Sequence, residues 1–301
     1  MKKLFLTLMF AVALLSSANA QLLYKISGKG LEKPSYIVGT YHLAPAAFAD
    51  SIPGANDAVA SVEQVCGEVD MAEMESMAGM QKVMKAMMLP DGKSLADVLS
   101  KEEMDKLNAF MLEVLGTDMN NPMVSMQMGK MTPTAISTQL QLVQFMKKTP
   151  GFNPEAMIDS HFQQVAKKSG KPVIGFETLD FQISVLYTGT SIERQKELLV
   201  CMIDNQEFNN KMMDMLTEAY FTQNMEKILE VSEMKMGSSC DSSAEEDEAI
   251  LYKRNADWVE KMPAIISGKS TLFVVGAAHL PGERGVLEML KKEGYTVEGV
   301  K

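Results

Sequence analysis

Short apolar runs open and close this chain, and helical periodicities fill the space between them. Leu22 to Ser27 and Ser35 to Gly39 read as two strands joined by a turn at Gly28-Lys29-Gly30. Ile52 to Ser61 reads as a short helix. Val62 to Val69 reads as a third strand, with Glu68 and Asp70 at its end. From about 71 to 168 the pattern is helical, broken at Pro90-Asp91-Gly92, at Asn121-Pro122 and between Thr149 and Pro154. Lys171 to Phe176 is a further strand, followed by Glu177 and a helix to about Tyr187. Helices continue from Ser191 to Glu233, and Gly237 to Asp247 reads as an exposed acidic loop. A helix from Glu248 to Met262 stops before Pro263. Thr271 to Val275 and Tyr295 to Val300 are the last strands, with a helix between them. Strands at both ends with helices between them predict an α/β fold. Its centre is a mixed, mostly parallel sheet, and about 71–168 forms a large helical insertion.

Two of the strand-like segments repeat each other. One reads Tyr36-Ile37-Val38-Gly39-Thr40-Tyr41-His42-Leu43, the other Phe273-Val274-Val275-Gly276-Ala277-Ala278-His279-Leu280. Each is a β-type run closed by Gly-x-x-His-Leu, and these two positions hold two of the chain's three histidines. An apolar run closed by glycine predicts a buried strand reaching its C-terminal edge, where open α/β sheets bind ligands. Glycine there lets the backbone turn sharply or approach a ligand closely. Glu68 and Glu177 lie past the ends of two further runs, so His42, Glu68, Glu177 and His279 are expected at one edge. Two imidazoles and one or two carboxylates form a common ligand set for Zn, Mn or Fe, with room left for water. A metal so held polarises a carbonyl and acidifies its water, and a spare glutamate serves as general base. The competing reading is a pair of hydrogen-bonded core histidines at strand ends. Arg254 and Asn255, beside Trp258, are candidates to orient a substrate carboxylate or carbonyl; otherwise they lie on a solvated helix face. His161, in a polar-flanked helix, reads as a surface or groove residue.

Composition narrows the function classes. Residues 1–20 have the form of a secretory signal peptide: Lys2 and Lys3, an apolar stretch from Leu4 to Leu15, then Ala18-Asn19-Ala20. Gln21 follows the expected cleavage point, which argues against a lipid anchor. No later segment has the apolar length of a membrane helix, so no stable membrane anchor is expected and the mature chain is expected to be periplasmic or secreted. The formal net charge of −10 disfavours nucleic acid as a partner. Three cysteines in an exported chain suggest one disulfide, Cys201 with Cys240, leaving Cys66 as a buried thiol. Of 27 methionines, 15 fall between Met71 and Met146. Met71, Met74, Met77, Met80, Met84, Met87 and Met88 recur at helical spacing, as expected of an apolar core or subunit face. An adaptable binding groove and a thioether copper site are the other readings.

The motifs together resemble a known family. Tyr24-Lys25-Ile26-Ser27 followed by Pro34-Ser35-Tyr36-Ile37-Val38-Gly39-Thr40-Tyr41-His42 is similar to the opening of the TraB/PrgY/GumN family. Glu68-Val69-Asp70 resembles that family's acidic strand end. Gly170-Lys171-Pro172-Val173 with Gly175-Phe176-Glu177-Thr178 resembles its central motif, where Gln182 also matches. Arg254-Asn255 resembles its Arg-Asn helix start, and Gly276-Ala277-Ala278-His279-Leu280 its second histidine motif. The Met-rich insertion matches only in being helical. The resemblance spans residues 21–301 as one domain and implies an erythromycin esterase/ChaN-like fold. It also implies metal-dependent hydrolysis, since the family includes the Tiki proteases, described as Mn- or Co-dependent peptidases that cleave Wnt proteins.

These readings give an exported metal-dependent hydrolase, a peptidase acting on a peptide or protein substrate. The expected divalent metal is Mn, Co or Zn, held by His42, His279, Glu68 and Glu177. Glu68, Glu177, Arg254 and Asn255 are the expected catalytic residues. The alternative is a non-catalytic periplasmic binding protein for a peptide or a metal-containing ligand.

Overall fold

Four parallel strands end at one edge of a six-stranded sheet, and this sets the geometry of everything functional. A computed structural model describes residues 21–301, so residues 1–20, where a signal peptide is expected, lie outside the described residues. The strands are β1 (Leu23–Ser27), β2 (Ser35–Thr40), β3 (Gln64–Gly67), β4 (Val173–Gly175), β5 (Thr271–Gly276) and β6 (Thr296–Gly299), in the spatial order β4-β3-β5-β2-β1-β6. β4, β3, β5 and β2 run parallel; β1 lies antiparallel between β2 and β6. The central strands β2, β3 and β5 are almost wholly buried, which is why they read as continuous apolar runs without alternation. The fold is α/β with a mixed, mostly parallel sheet, as the pattern predicts.

The two Gly-x-x-His segments lie side by side, with Gly39 opposite Val275 and Thr40 opposite Gly276. Gly39 is required by packing and not by a sharp turn. A Cβ there would stand 3.0 Å from a Leu280 methyl and 3.1 Å from Ala277. The first motif therefore admits no side chain because the second motif fills the space. Phe176, just beyond β4, stacks between Trp258 and Phe273 with ring centroids 5.3 and 5.2 Å away. The stack clamps the end of β4 between the sheet and the helix Lys253–Gly268.

Several boundaries differ from the sequence pattern. The strand expected over Val62 to Val69 pairs only from Gln64 to Gly67, because Gln163 takes over the backbone beyond it. Its side chain donates to Val69 O and accepts from Met71 N–H. The last long helix does not stop at Pro263; it runs to Gly268, with Trp258, Met262 and Ile266 buried on either side of the proline. That packing outweighs the lost N–H. The helical insertion is not one block. Leu107, Phe110, Met111, Ile136 and Leu140 form a second core with Leu199 and Met202 from the helix Ile192–Asp204. The helix Ile158–Lys168 buries Ile158, Phe162 and Ala166 in the main core against the sheet.

The methionine stripe is not core. Met77, Met80 and Met84 on the helix Met77–Ala86 are 76, 50 and 67 % exposed. Among the described residues no helix is long and apolar enough to cross a membrane. Cys201 and Cys240 are bonded and Cys66 is a buried free thiol. The bridge ties the helix Ile192–Asp204 to the loop after Glu233, 39 residues along the chain. Closing a loop of that length restricts the unfolded chain by about 2–4 kcal/mol. Replacing both cysteines with serine should lower the free energy of unfolding by that amount in urea titrations, and an unchanged midpoint would contradict it.

Candidate functional site

Each of the four expected residues follows a parallel strand, so the sheet delivers Glu177, Glu68, His279 and His42 in that order along its C-terminal edge. Three of them meet around a residue of a different type. The Arg254 guanidinium, from the helix Lys253–Gly268, donates through Nε to Glu177 Oε1 (2.8 Å) and through Nη2 to Glu177 Oε2 (3.0 Å). The same Nη2 also donates to Glu68 Oε2. Nη1 donates to Ile250 O (3.0 Å) and lies 3.2 Å from His279 Nε2. The guanidinium also lies over the Trp258 ring, 4.8 Å from its centroid. Arg254 and Asn255 are thus buried and not on a solvated face.

Glu177 is saturated. Besides the two Arg254 bonds, Oε1 accepts from Trp258 Nε1 (2.8 Å) and Oε2 from Gln182 Nε2 (2.8 Å). A carboxylate with four donors on two oxygens has no lone pair left for a metal. Glu68 is nearly as well held. Gly276 N–H donates to Oε1 at 2.7 Å, and Gln182 reaches Oε2 at 3.3 Å. The glycine of the second motif thus serves the carboxylate of another strand. Burial alone would raise the Glu68 carboxyl. A charged His279, Arg254 and the Gly276 N–H outweigh it and hold the group at about 2. His279 itself is pushed down to about 4 by burial, so near neutral pH it is uncharged and Arg254 is the cation that matters. Its Nδ1 lies 2.6 Å from Asn255 Oδ1, which fixes the proton on Nδ1 and leaves Nε2 as acceptor for Arg254. Asn255 in turn donates to Arg284 O.

His42 stands apart from this packed floor. It lies within the electrostatic reach of Glu68 and His279, but its own partner is Asp159, at 3.1 Å from Nδ1. Its side chain is 77 % exposed. The Asp159 charge and hydrogen bond, with a smaller effect from Glu68, raise it to about 9 against the repulsion of Arg254. Asp159 comes from the first turn of the helix Ile158–Lys168 and also accepts from Thr40 Oγ1 at 2.6 Å. Its second oxygen is buried with no partner among the described residues. The sequence reading missed Asp159, because an acidic residue in a helix's first turn is ordinary. His161 lies edge-on to Phe162 and takes no part in the cluster.

The expected metal set does not assemble as placed. Among the described residues no three His, Cys, Asp or Glu side chains close on one point. A guanidinium fills the centre, and Glu177 has no lone pair to give. Arg254 and Asn255 also differ from expectation. All five Arg254 N–H groups are engaged within the protein, so none remains for a substrate carboxylate, and Asn255 is likewise engaged by His279 and the Arg284 carbonyl.

A family model matches residues 22–299, almost the whole described chain. The chain belongs to the TraB/PrgY/GumN family. A 51-residue stretch, 16 % of this chain, is 41 % identical to the Metalloprotease TIKI homolog of Amphimedon queenslandica. The match spans only 10 % of that relative's length. No solved structure matches the chain. The residues that build the charged floor all lie within the matched span: the second Gly-x-x-His segment, the two acidic strand ends, Gln182 and the Arg-Asn pair.

The His279 environment has a pH consequence. Between pH 6.5 and about 4 the unfolded chain takes up a proton that the native His279 refuses. Stability present above pH 6.5 is therefore lost as the pH falls through that window, by up to about 3 kcal/mol. Urea unfolding at both ends of the window should show this loss. A His279→Gln variant should show little of it, and an equal acid loss in both proteins would contradict the assignment.

Proposed function

We propose that this protein is an exported hydrolase of peptide amide bonds in which His42 carries the proton and the Arg254 floor holds the site rigid. The observation that carries the reading is the split between a saturated interior and one reachable proton donor. Arg254, Asn255 and Glu177 are fully engaged with one another and their neighbours. His42 is open to solvent, oriented by Asp159 and cationic at neutral pH, and lies within the electrostatic reach of Glu68. The likeness to a metalloprotease homolog and the family membership support hydrolysis; the disulfide and the signal-like start support export.

The chemistry assigns each group a place. Water adds its oxygen to the carbonyl carbon, the C–N bond breaks, and the leaving nitrogen needs a proton. His42 Nε2 supplies it, since Nδ1 is held on Asp159. The proton that water loses passes to solvent, and His42, exposed at Nε2, is reprotonated from solvent to restore the starting state. Glu68 stays ionised at every working pH, keeps His42 cationic and offers its remaining lone pair to water. No step is derived through a divalent metal, because the donors placed here do not converge on one. Elemental analysis of the purified protein decides separately whether one binds.

Cleavage of a quenched-fluorescent peptide library by the mature protein tests the reading. His42→Ala should lower kcat/KM by about 10²–10⁴. Turnover should fall as the pH rises through about 9, where His42 loses its proton, and Asp159→Asn should move that limb toward the ordinary histidine value. Full turnover in His42→Ala would overturn the assignment. Peptide binding with no turnover by the wild-type protein would favour the binding-protein reading.

A further inference from the structure

A cleft of about 1120 Å³ opens directly beside the charged floor, with Glu177 and Arg254 among its lining. Its walls are apolar: Phe176, Phe181, Val185, Leu186, Leu198 and Ile250. Phe181, Leu186 and Ile250 are large side chains left 41–45 % exposed. Leu186 sits at the centre of one π-helical turn, Ser184–Thr188, and Ile250 at the centre of another, Glu248–Tyr252. Such turns are uncommon and concentrate at functional sites. The first follows Gln182, which bridges Glu68 and Glu177. The second precedes Arg254 and supplies the Ile250 carbonyl on which Nη1 rests.

We infer that this cleft seats a large apolar side chain of an extended peptide, with the peptide backbone running toward the charged floor. The inference deepens the hydrolase reading by naming the side chain its substrate would present. Four features select that occupant. The volume exceeds the roughly 300–1,000 Å³ of small-molecule pockets, so a chain segment fits better than a single small ligand. Glu246 pairs with Arg194 and Asp257 with Lys261, and the remaining rim charges, Glu245 and Lys253, are of opposite sign, so the rim does not select a ligand of one charge. Thr134 and Thr190 line the cleft with hydroxyls that make no hydrogen bond among the described residues, which suits peptide N–H and C=O groups and offers an acyl chain nothing. The wall is preformed, because Cys240 is held by its disulfide, and Arg194 fastens Ser239 O, Asp241 O and Glu246 beside it.

Fluorescence anisotropy with labelled hexapeptides tests this, the central amide being reduced to a methylene amine so that binding is read without cleavage. A peptide with Leu or Phe before the reduced bond should bind about tenfold tighter than its Ala counterpart. Leu186→Asp and Phe181→Asp, both at exposed positions, should abolish that preference while thermal melting stays unchanged. Equal binding of the Ala peptide would overturn the inference. So would wild-type preference in both Asp variants, or displacement of the peptide by decanoate as effectively as by unlabelled peptide, which would assign the cleft to an acyl chain. Apolar-peptide binding without turnover of any cleavable peptide would remove the hydrolase reading and leave the cleft assignment standing. Turnover indifferent to the apolar residue would do the reverse.

Discussion

One buried guanidinium organises the site. Arg254 joins the ends of β3 and β4, the second Gly-x-x-His segment and the last long helix through five N–H donors. Glu177 answers with four acceptor contacts, and Trp258 both donates to it and stacks through Phe176 onto the sheet. A buried ion pair is not in itself a source of stability, because desolvation offsets the attraction. Removing one partner is nevertheless expensive, since it strands a charge. The geometry of the sheet edge is therefore fixed by an all-or-none arrangement: every member is satisfied, or several are not.

That rigidity divides labour between floor and rim. The floor residues have little left to offer a ligand, so chemistry belongs to what the floor holds outward: Glu68, His42 and the Asp159 that orients it. The apolar cleft is lined by Glu177 and Arg254, and of its two π-helical turns one begins just after Gln182 and the other ends just before Arg254. A side chain seated against Leu186 or Ile250 thus rests on the same backbone that sets the floor. Binding and proton transfer meet at one guanidinium without sharing a donor.

Much of this architecture was legible in the chain because buried parallel strands leave a plain signature. Continuous apolar runs closed by Gly-x-x-His located β2 and β5, and the carboxylates just past two other runs located Glu68 and Glu177. Their grouping at one edge follows from parallel topology alone. The roles were less legible. Glycine 39 reads as backbone freedom, whereas the structure shows it yielding space to Ala277 and Leu280. Histidine and glutamate at a sheet edge suggest a metal, and nothing local reveals that an arginine 186 residues after Glu68 enters the middle. Asp159 looks like any acidic residue in a first helical turn. The methionine stripe spans two helices, Met71–Glu75 and Met77–Ala86, and turns Met77, Met80 and Met84 outward, since periodicity shows that a face exists and not what covers it.

The central claim is that Arg254 and Glu177 form one energetic unit. A double-mutant cycle with Arg254→Met, Glu177→Gln and the two combined, followed by urea unfolding, measures this directly. Each single change should lose about 3–5 kcal/mol by stranding the other's charge. The double variant should be little worse than either single, giving a coupling of about 2 kcal/mol or more. Losses that simply add would contradict the account.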